Sequence, residues 1–336
     1  MDSRRALTVL GTVAAVLAAA PAAPAGAAQP SHPPQVRELA TFAAPGCTAG
    51  CGSGSTIGPD KAIYVTDGPG GRVLRVDPRT GAVTTFASGL PPKNPGPPTG
   101  AAQDVIFVGH TAYVLVTLVG PFFGQPDVVG GIYRIGRDGT PTAIADLGAF
   151  SIAHPPGTPF VITSGVQYAM ERYLGGFIVT DGHHNRVLRV SARGRVSELR
   201  AFGDIVPTGL EVRGATVYMA RAGAVPHPAS EGRIVRFTPW SRTTEVARGA
   251  PLAVDVELGR GDRLYALSQG IWTLPPIPSN AGQPASANTG ALLRVGRHGG
   301  MTPVAGGLDR PTSMELAGDT AFVVSYTGKV LRIDGI

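Results

Sequence analysis

Phe177 to Val190 reads F-I-V-T-D-G-H-H-N-R-V-L-R-V, and Ile63 to Val76 reads I-Y-V-T-D-G-P-G-G-R-V-L-R-V. Each stretch is a β-rich run, a turn rich in Gly or Asn, and a second run with alternating apolar residues. That is the pattern of a β-hairpin. Two near-copies this far apart in one chain point to an internal repeat.

The hairpin recurs four more times. Its first strand reappears at Ala112–Val116, Val217–Ala220, Leu264–Leu267 and Ala321–Val324. Its second strand reappears at Gly131–Ile135, Arg233–Phe237, Ala291–Val295 and Lys329–Ile333. A short strand precedes each hairpin; Pro207-Thr208-Gly209-Leu210-Glu211-Val212 and Pro311-Thr312-Ser313-Met314-Glu315-Leu316 align without a gap. Five of the hairpins are followed by a fourth strand, such as Val83–Ala87 or Val196–Leu199. The unit is four antiparallel strands, A to D from the centre outward, and such a unit is a propeller blade.

The sixth unit lacks a D strand because the chain stops at Ile336, while Val36–Phe42 has the D pattern and precedes the first A strand. Pairing the two closes the ring and removes an open sheet edge. The sequence therefore predicts an all-β, six-bladed β-propeller over residues 29–336, closed by its N-terminal strand. No sustained 3.6-residue apolar period suggests a long helix.

Residues 1–28 read differently. Arg4 and Arg5 precede a small-apolar run from Ala6 to Ala20, and a Pro/Ala-rich segment ends in Ala25-Gly26-Ala27-Ala28. This is the order of a secretory signal peptide, with the twin arginines also suiting a Tat signal. Cleavage after Ala27 or Ala28 would leave a soluble, secreted, monomeric protein with no further apolar stretch long enough to span a bilayer.

The formal charge is +6, carried almost wholly by Arg, with Lys only at 61, 93 and 329. The arginines are scattered along the chain instead of clustered in a run, which argues against a nucleic-acid partner. The two cysteines, Cys47 and Cys51, form a close pair that in an exported protein reads as a disulfide. Two thiolates cannot complete a zinc site, and no metal site is assigned.

The hairpin V-T-D-G-H-H-N-R-V-L-R-V resembles the NHL-type repeat. The unit arrangement and P-T-G-L-E-V resemble secreted six-bladed propellers of the ScyD/ScyE family. The resemblance covers nearly the whole mature chain; it implies the fold and leaves the activity open. The family's Asn-Pro-Tyr element is reduced here to the Tyr of Gly165-Val166-Gln167-Tyr168. The wider superfamily includes gluconolactonase-like enzymes, which hold an axial divalent cation with a carboxylate, two Asn and an Asp. Asn94, Asn185, Asn280 and Asn288 all fall in expected loops and none on an A strand. That argues against the same metal site, although a cation on the axis stays a possible cofactor.

Blade connectivity sorts the loops. A–B and C–D turns emerge at one end of a propeller, and B–C and D–A connections at the other. The five long connections, 89–100, 117–130, 148–165, 221–232 and 268–290, all belong to the second class. Long loops gathered at one end of a rigid scaffold are where binding usually sits. This crown carries the ligand-binding candidates Phe122, Phe123, His154, Phe160, His227 and Trp272, with His183, His184 and Asn185 of blade 3; Tyr168 joins them from the family element. Trp240 belongs to the opposite end. The pairs Asp67/Arg72 and Asp181/Arg186 recur at equal spacing, which suits a turn-fixing role. Asp104 and Asp255 align on A strands, with Glu171, Glu211, Glu257 and Glu315 two positions further on. A strands line the central channel, so these carboxylates either surround water or a cation or bond to backbone and Arg.

Two functions follow. The first is a secreted protein that binds a small organic molecule, a glycan or an extracellular protein on its crown. The second is a hydrolase or lyase acting on a small metabolite at the channel mouth. No nucleophile elbow, phosphate loop or spaced His cluster is present to decide for catalysis.

Overall fold

The computed structural model describes residues 34–43, 47–97, 100–277, 280 and 282–336. The signal-peptide reading of 1–28 lies outside them. The decisive hairpin is formed by Gly176–Asp181 and Arg186–Ser191, closed in the register Asp181↔Arg186. Its turn needs one left-handed residue, and Asn185 supplies it at φ 53°; the twin hairpin uses Gly71 at φ 58°. The recurring Asp–Arg pair fixes that turn in both copies. Asp181 Oδ1 accepts from the His184 N–H at 3.2 Å, and Asp67 Oδ1 from the Gly70 N–H at 3.0 Å. Arg72 Nε donates to the other Asp67 oxygen at 2.9 Å, while Arg186 Nε lies 3.6 Å from Asp181.

Six four-stranded antiparallel sheets result, each in the order A–B–C–D. The A strands are Ser55–Ile57, Ala101–Val108, Gln167–Tyr173, Pro207–Arg213, Ala253–Leu258 and Pro311–Ala317, in blades 1 to 6. Each packs beside the next, and that of blade 6 beside that of blade 1, so the ring is closed. The fourth strand of blade 6 is Gln35–Thr41, paired antiparallel with Lys329–Asp334. The N-terminal strand therefore closes the ring as the sequence predicts.

Apolar clusters fill the gaps between neighbouring blades. Tyr64 and Val73 of blade 1 meet Val105 and Val114 of blade 2, and Phe42 and Val330 of blade 6 meet Ile63 and Val65 of blade 1. Both faces of each blade are thus buried, which explains why strands such as Ile63–Asp67 are buried throughout instead of alternating. No helix among the described residues is long and apolar enough to cross a membrane.

The connection 148–165 is not all loop. Leu147–Ala153 is a two-turn helix, capped by Asp146, whose Oδ1 accepts from the Ala149 N–H at 2.7 Å. Its buried Leu147 joins the blade 2–3 cluster. Seven residues are too few to display an apolar period. Cys47 and Cys51 are disulfide-bonded, within the connection that leads from the closing strand into blade 1.

Candidate functional site: the channel and the crown

A cavity of about 30 Å³ lies on the axis, lined by Ser55, Asp104, Tyr168, Glu171, Asp255, Glu257, Ser313 and Glu315 among others. A single water needs roughly 10–15 Å³, so water or a bare ion fits and a metabolite does not. The A strands run from the crown end to the turn end, which orders the layers. Tyr168 stands nearest the crown. Its hydroxyl donates to the Thr312 carbonyl at 3.1 Å, bridging blade 3 to blade 6 on the far side of the ring. Tyr168 is therefore a stopper across the channel, reaching from blade 3 to blade 6 below the crown.

Below it sit the two aspartates. Asp104 Oδ1 accepts from the Val105 N–H at 2.8 Å and Oδ2 from the Met170 N–H of blade 3 at 2.7 Å. Asp255 repeats this with Val256 at 2.9 Å and Met314 of blade 6 at 2.8 Å. Each carboxylate ties its A strand to the next blade, and the two do so three blades apart. The preceding blade must leave room: a Cβ on Gly54 would collide with Asp104, and one on Gly209 with Asp255.

The four glutamates form the last layer, toward the turn end, with Thr56 and Ile106 completing the ring by strand register. Glu315 accepts from the Ile57 N–H at 3.3 Å. Burial pushes every channel carboxyl up. Asp104 reaches about 7, despite two backbone donors that favour its charged form. Glu211 reaches about 7, with a hydrogen bond to Glu257 that partly offsets burial. Glu257 is raised well above the usual range by burial and by Glu315 and Glu211, and Glu171 by burial and by Glu211 and Asp104. Asp255 is raised mainly by burial, and Glu315 by burial with Asp255 and Glu171 facing it. Asp104 and Glu211 therefore exchange protons near neutrality.

The two channel aspartates are already engaged by backbone donors. Both oxygens of Asp104 and of Asp255 are spent on backbone N–H groups. Among the described residues no three Asp, Glu, His or Cys side chains come close enough to hold one ion.

At the crown, four of the ten expected ligand residues, His184, Asn185, His227 and Trp272, are buried, while Phe122, His154 and Phe160 are exposed. Trp272 is buried, its Nε1 donating to the Gln283 carbonyl at 3.1 Å, and His227 packs edge-on against it at 5.6 Å. His227 is itself buried, with Nδ1 2.6 Å from the Gly223 carbonyl. Both serve the loops they belong to. His183 Nε2 accepts from the Val161 and Ile162 N–H groups at 2.9 and 3.0 Å, which leaves that nitrogen unprotonated. His184 is buried, spanning the Ile162 carbonyl and the Arg186 guanidinium at 2.9 and 3.0 Å. Burial lowers the pKa of His183, His184 and His227 alike, which keeps them neutral. Asn185 Oδ1 accepts from Ile205 and Val206, both at 2.9 Å. The blade-3 cluster is thus a clamp that holds two connections down, and it does not gather into a metal or acid–base site. Phe123 stacks edge-on with Phe122, and His154 lies flat against Phe150 at 4.2 Å.

Besides His154, the crown exposes a set of large aliphatic and aromatic side chains. Phe122, Ile152, Phe160 and Val161 project over blades 2 and 3, and Val225, Ile271, Leu274 and Ile277 over blades 4 and 5. Residues 147–165 and 268–290 contain no charged side chain. Of these exposed residues, only Phe122 and Phe160 had been singled out as ligand candidates. The others, apart from Ile152 on the short helix, lie in Pro/Gly-rich loops where no periodicity separates an outward residue from an inward one.

No protein-family model matches the chain, and no curated protein is similar to it in sequence. Solved structures are similar. A gluconolactonase from Xanthomonas campestris superimposes with TM-score 0.60 at 13% identity, over 93% of this chain and 98% of that one. Virginiamycin B lyase from Staphylococcus aureus gives 0.56 at 14%, over 90% and 100%. A luciferin-regenerating enzyme gives 0.57 at 12%, over 90% and 96%. At this identity the likeness carries the propeller fold alone, on which lactonases and lyases are both built.

Proposed function

We propose that this chain is an exported propeller of the ScyD/ScyE type whose crown docks a partner protein. The carrying observation is the crown's surface: eight large apolar side chains exposed on loops that carry almost no charge, above a channel stoppered by Tyr168. Exposed apolar area concentrated at one end of a soluble fold marks an interaction site. A small organic ligand would need a concave pocket, and Trp272, the largest aromatic of the crown, is buried. The disulfide is compatible with export.

A photo-reactive residue placed at Val161 or Ile271 of the full chain, in the cells that produce it, should trap one discrete protein. The same probe at Trp240 should not trap it. Equal adducts from both ends would overturn the reading.

One observation favours the alternative of a hydrolase or lyase. Glu211 and Glu257 share a hydrogen bond, the Glu211 carboxyl being raised to about 7 and that of Glu257 well above its usual range, so an acid and a base are available at one site. Access would be from the turn end, since Tyr168 closes the other. The cavity volume is the reason this reading comes second.

A further inference from the structure

The arginines that look scattered in the sequence are gathered by the fold. Near the end of every C strand the repeat places an arginine, and those of blades 2 to 5 are Arg134, Arg189, Arg236 and Arg294. The C–D turns that follow add Arg137, Arg193, Arg242 and Arg297. All eight are exposed. None of the eight guanidinium groups has an ion pair or a hydrogen bond among the described residues. On the other side of the ring Asp60 pairs with Arg75 and Asp334 with Arg332; within blades 2 to 5 the turn end also carries Asp138, Glu245 and Asp262, of which Glu245 pairs with Arg233 and Arg248 and Asp262 with Arg213. An unpaired basic arc therefore spans four blades at the turn end, opposite the crown.

Two apolar side chains stand within this arc. Trp240, in the C–D turn of blade 4, is 81% exposed, and Leu174, in the A–B turn of blade 3, is 48% exposed. The arginines are spread across the flat ends of several blades, whereas a linear polyanion is best held by a groove. A tryptophan among arginines on a flat face is the composition that sits at a membrane–water interface. We propose that the turn end of blades 2 to 5 is a peripheral binding face for an anionic lipid surface. Arginines would contact the headgroups, with Trp240 and Leu174 at the acyl boundary. Guanidinium groups suit this because they bind phosphate through two parallel hydrogen bonds.

The test is co-sedimentation of the full chain with vesicles of phosphatidylcholine containing one-third phosphatidylglycerol, against vesicles of phosphatidylcholine alone. Binding should require the anionic lipid and weaken with salt. Each arginine near the surface contributes about fivefold, so Arg193→Gln, Arg236→Gln and Arg242→Gln together should lose about a hundredfold. In a Trp272→Phe background the emission of Trp240 should shift to the blue on the anionic vesicles only. The proposal is overturned by absence of binding at about 0.1 M salt, where screening reaches about 10 Å. It is overturned equally by binding that the triple variant leaves unchanged. Polyphosphate binding as tightly as the vesicles, with no shift of Trp240, would assign the arc to a soluble polymer instead.

Discussion

The two ends of the propeller treat their side chains in opposite ways. The crown is built of long connections, and holding them consumes much of its chemistry: Trp272 and His227 within those connections, and His183, His184 and Asn185 from the blade-3 turn, all hold loops in place. The turn end is built of short turns that need few such props, and the eight arginines of blades 2 to 5 and Trp240 are left to solvent. Polar and aromatic residues in a long loop are first of all that loop's substitute for secondary structure, because buried backbone groups need partners. Exposure of a residue type in a tight turn says more about a surface than its presence in a long loop.

The comparison presupposes a closed ring, and opening it should have the largest effect. Deleting residues 29–43 removes the closing strand together with buried Ala40 and Phe42 and bares the edge of Lys329–Asp334. The truncated protein should aggregate or lose cooperative unfolding, as followed by light scattering during a thermal ramp. A monomer with unchanged thermal stability would refute the closure.

The next test sets one tryptophan against the other. Trp272→Ala removes a buried ring and should cost about 3–5 kcal/mol in chemical denaturation. Trp240→Ala should stay within about 0.5 kcal/mol. Similar losses for both would erase the distinction between inward crown and outward turns.

That distinction marks where the sequence was legible. The six blades could be read because D-G-x-x-[GN]-R turns and alternating strands repeat, and the Velcro strand because one D pattern was missing and one was spare. The channel carboxylates were legible because A-strand positions align across blades. The orientation of Trp272 or Tyr168 was not, since a loop's packing and a reach across the axis depend on residues far away in sequence. The arginine arc was missed for the converse reason. One or two arginines per blade read as scatter along the chain, and closure of the ring alone places them side by side.

A smaller effect separates the channel from both ends. Glu211 has its carboxyl raised from about 4.5 to about 7 in the folded protein, by burial first. The unfolded chain then releases this proton at lower pH than the folded one. Folding is unpenalised below about pH 4.5, loses stability as pH rises toward 7, and stays penalised above it. Glu211→Gln should therefore match the parent at pH 4 and exceed it at pH 8, by on the order of 1–2 kcal/mol after discounting for the water-facing position of the carboxyl. Urea midpoints at the two pH values would show it. A variant less stable at pH 8 would mean that the ionised carboxylate is held by a favourable partner.

The central claim, that the crown docks a protein, is tested most directly by trapping that partner from one crown position while spoiling others. A photo-reactive residue at Phe122 in the full chain would be compared with and without Val161→Asp and Ile271→Asp. Both residues are well exposed, at 69% and 54%, so the fold should be unaffected. The account predicts that the adduct disappears at an unchanged melting temperature. An adduct that persists in the doubly substituted chain would contradict it.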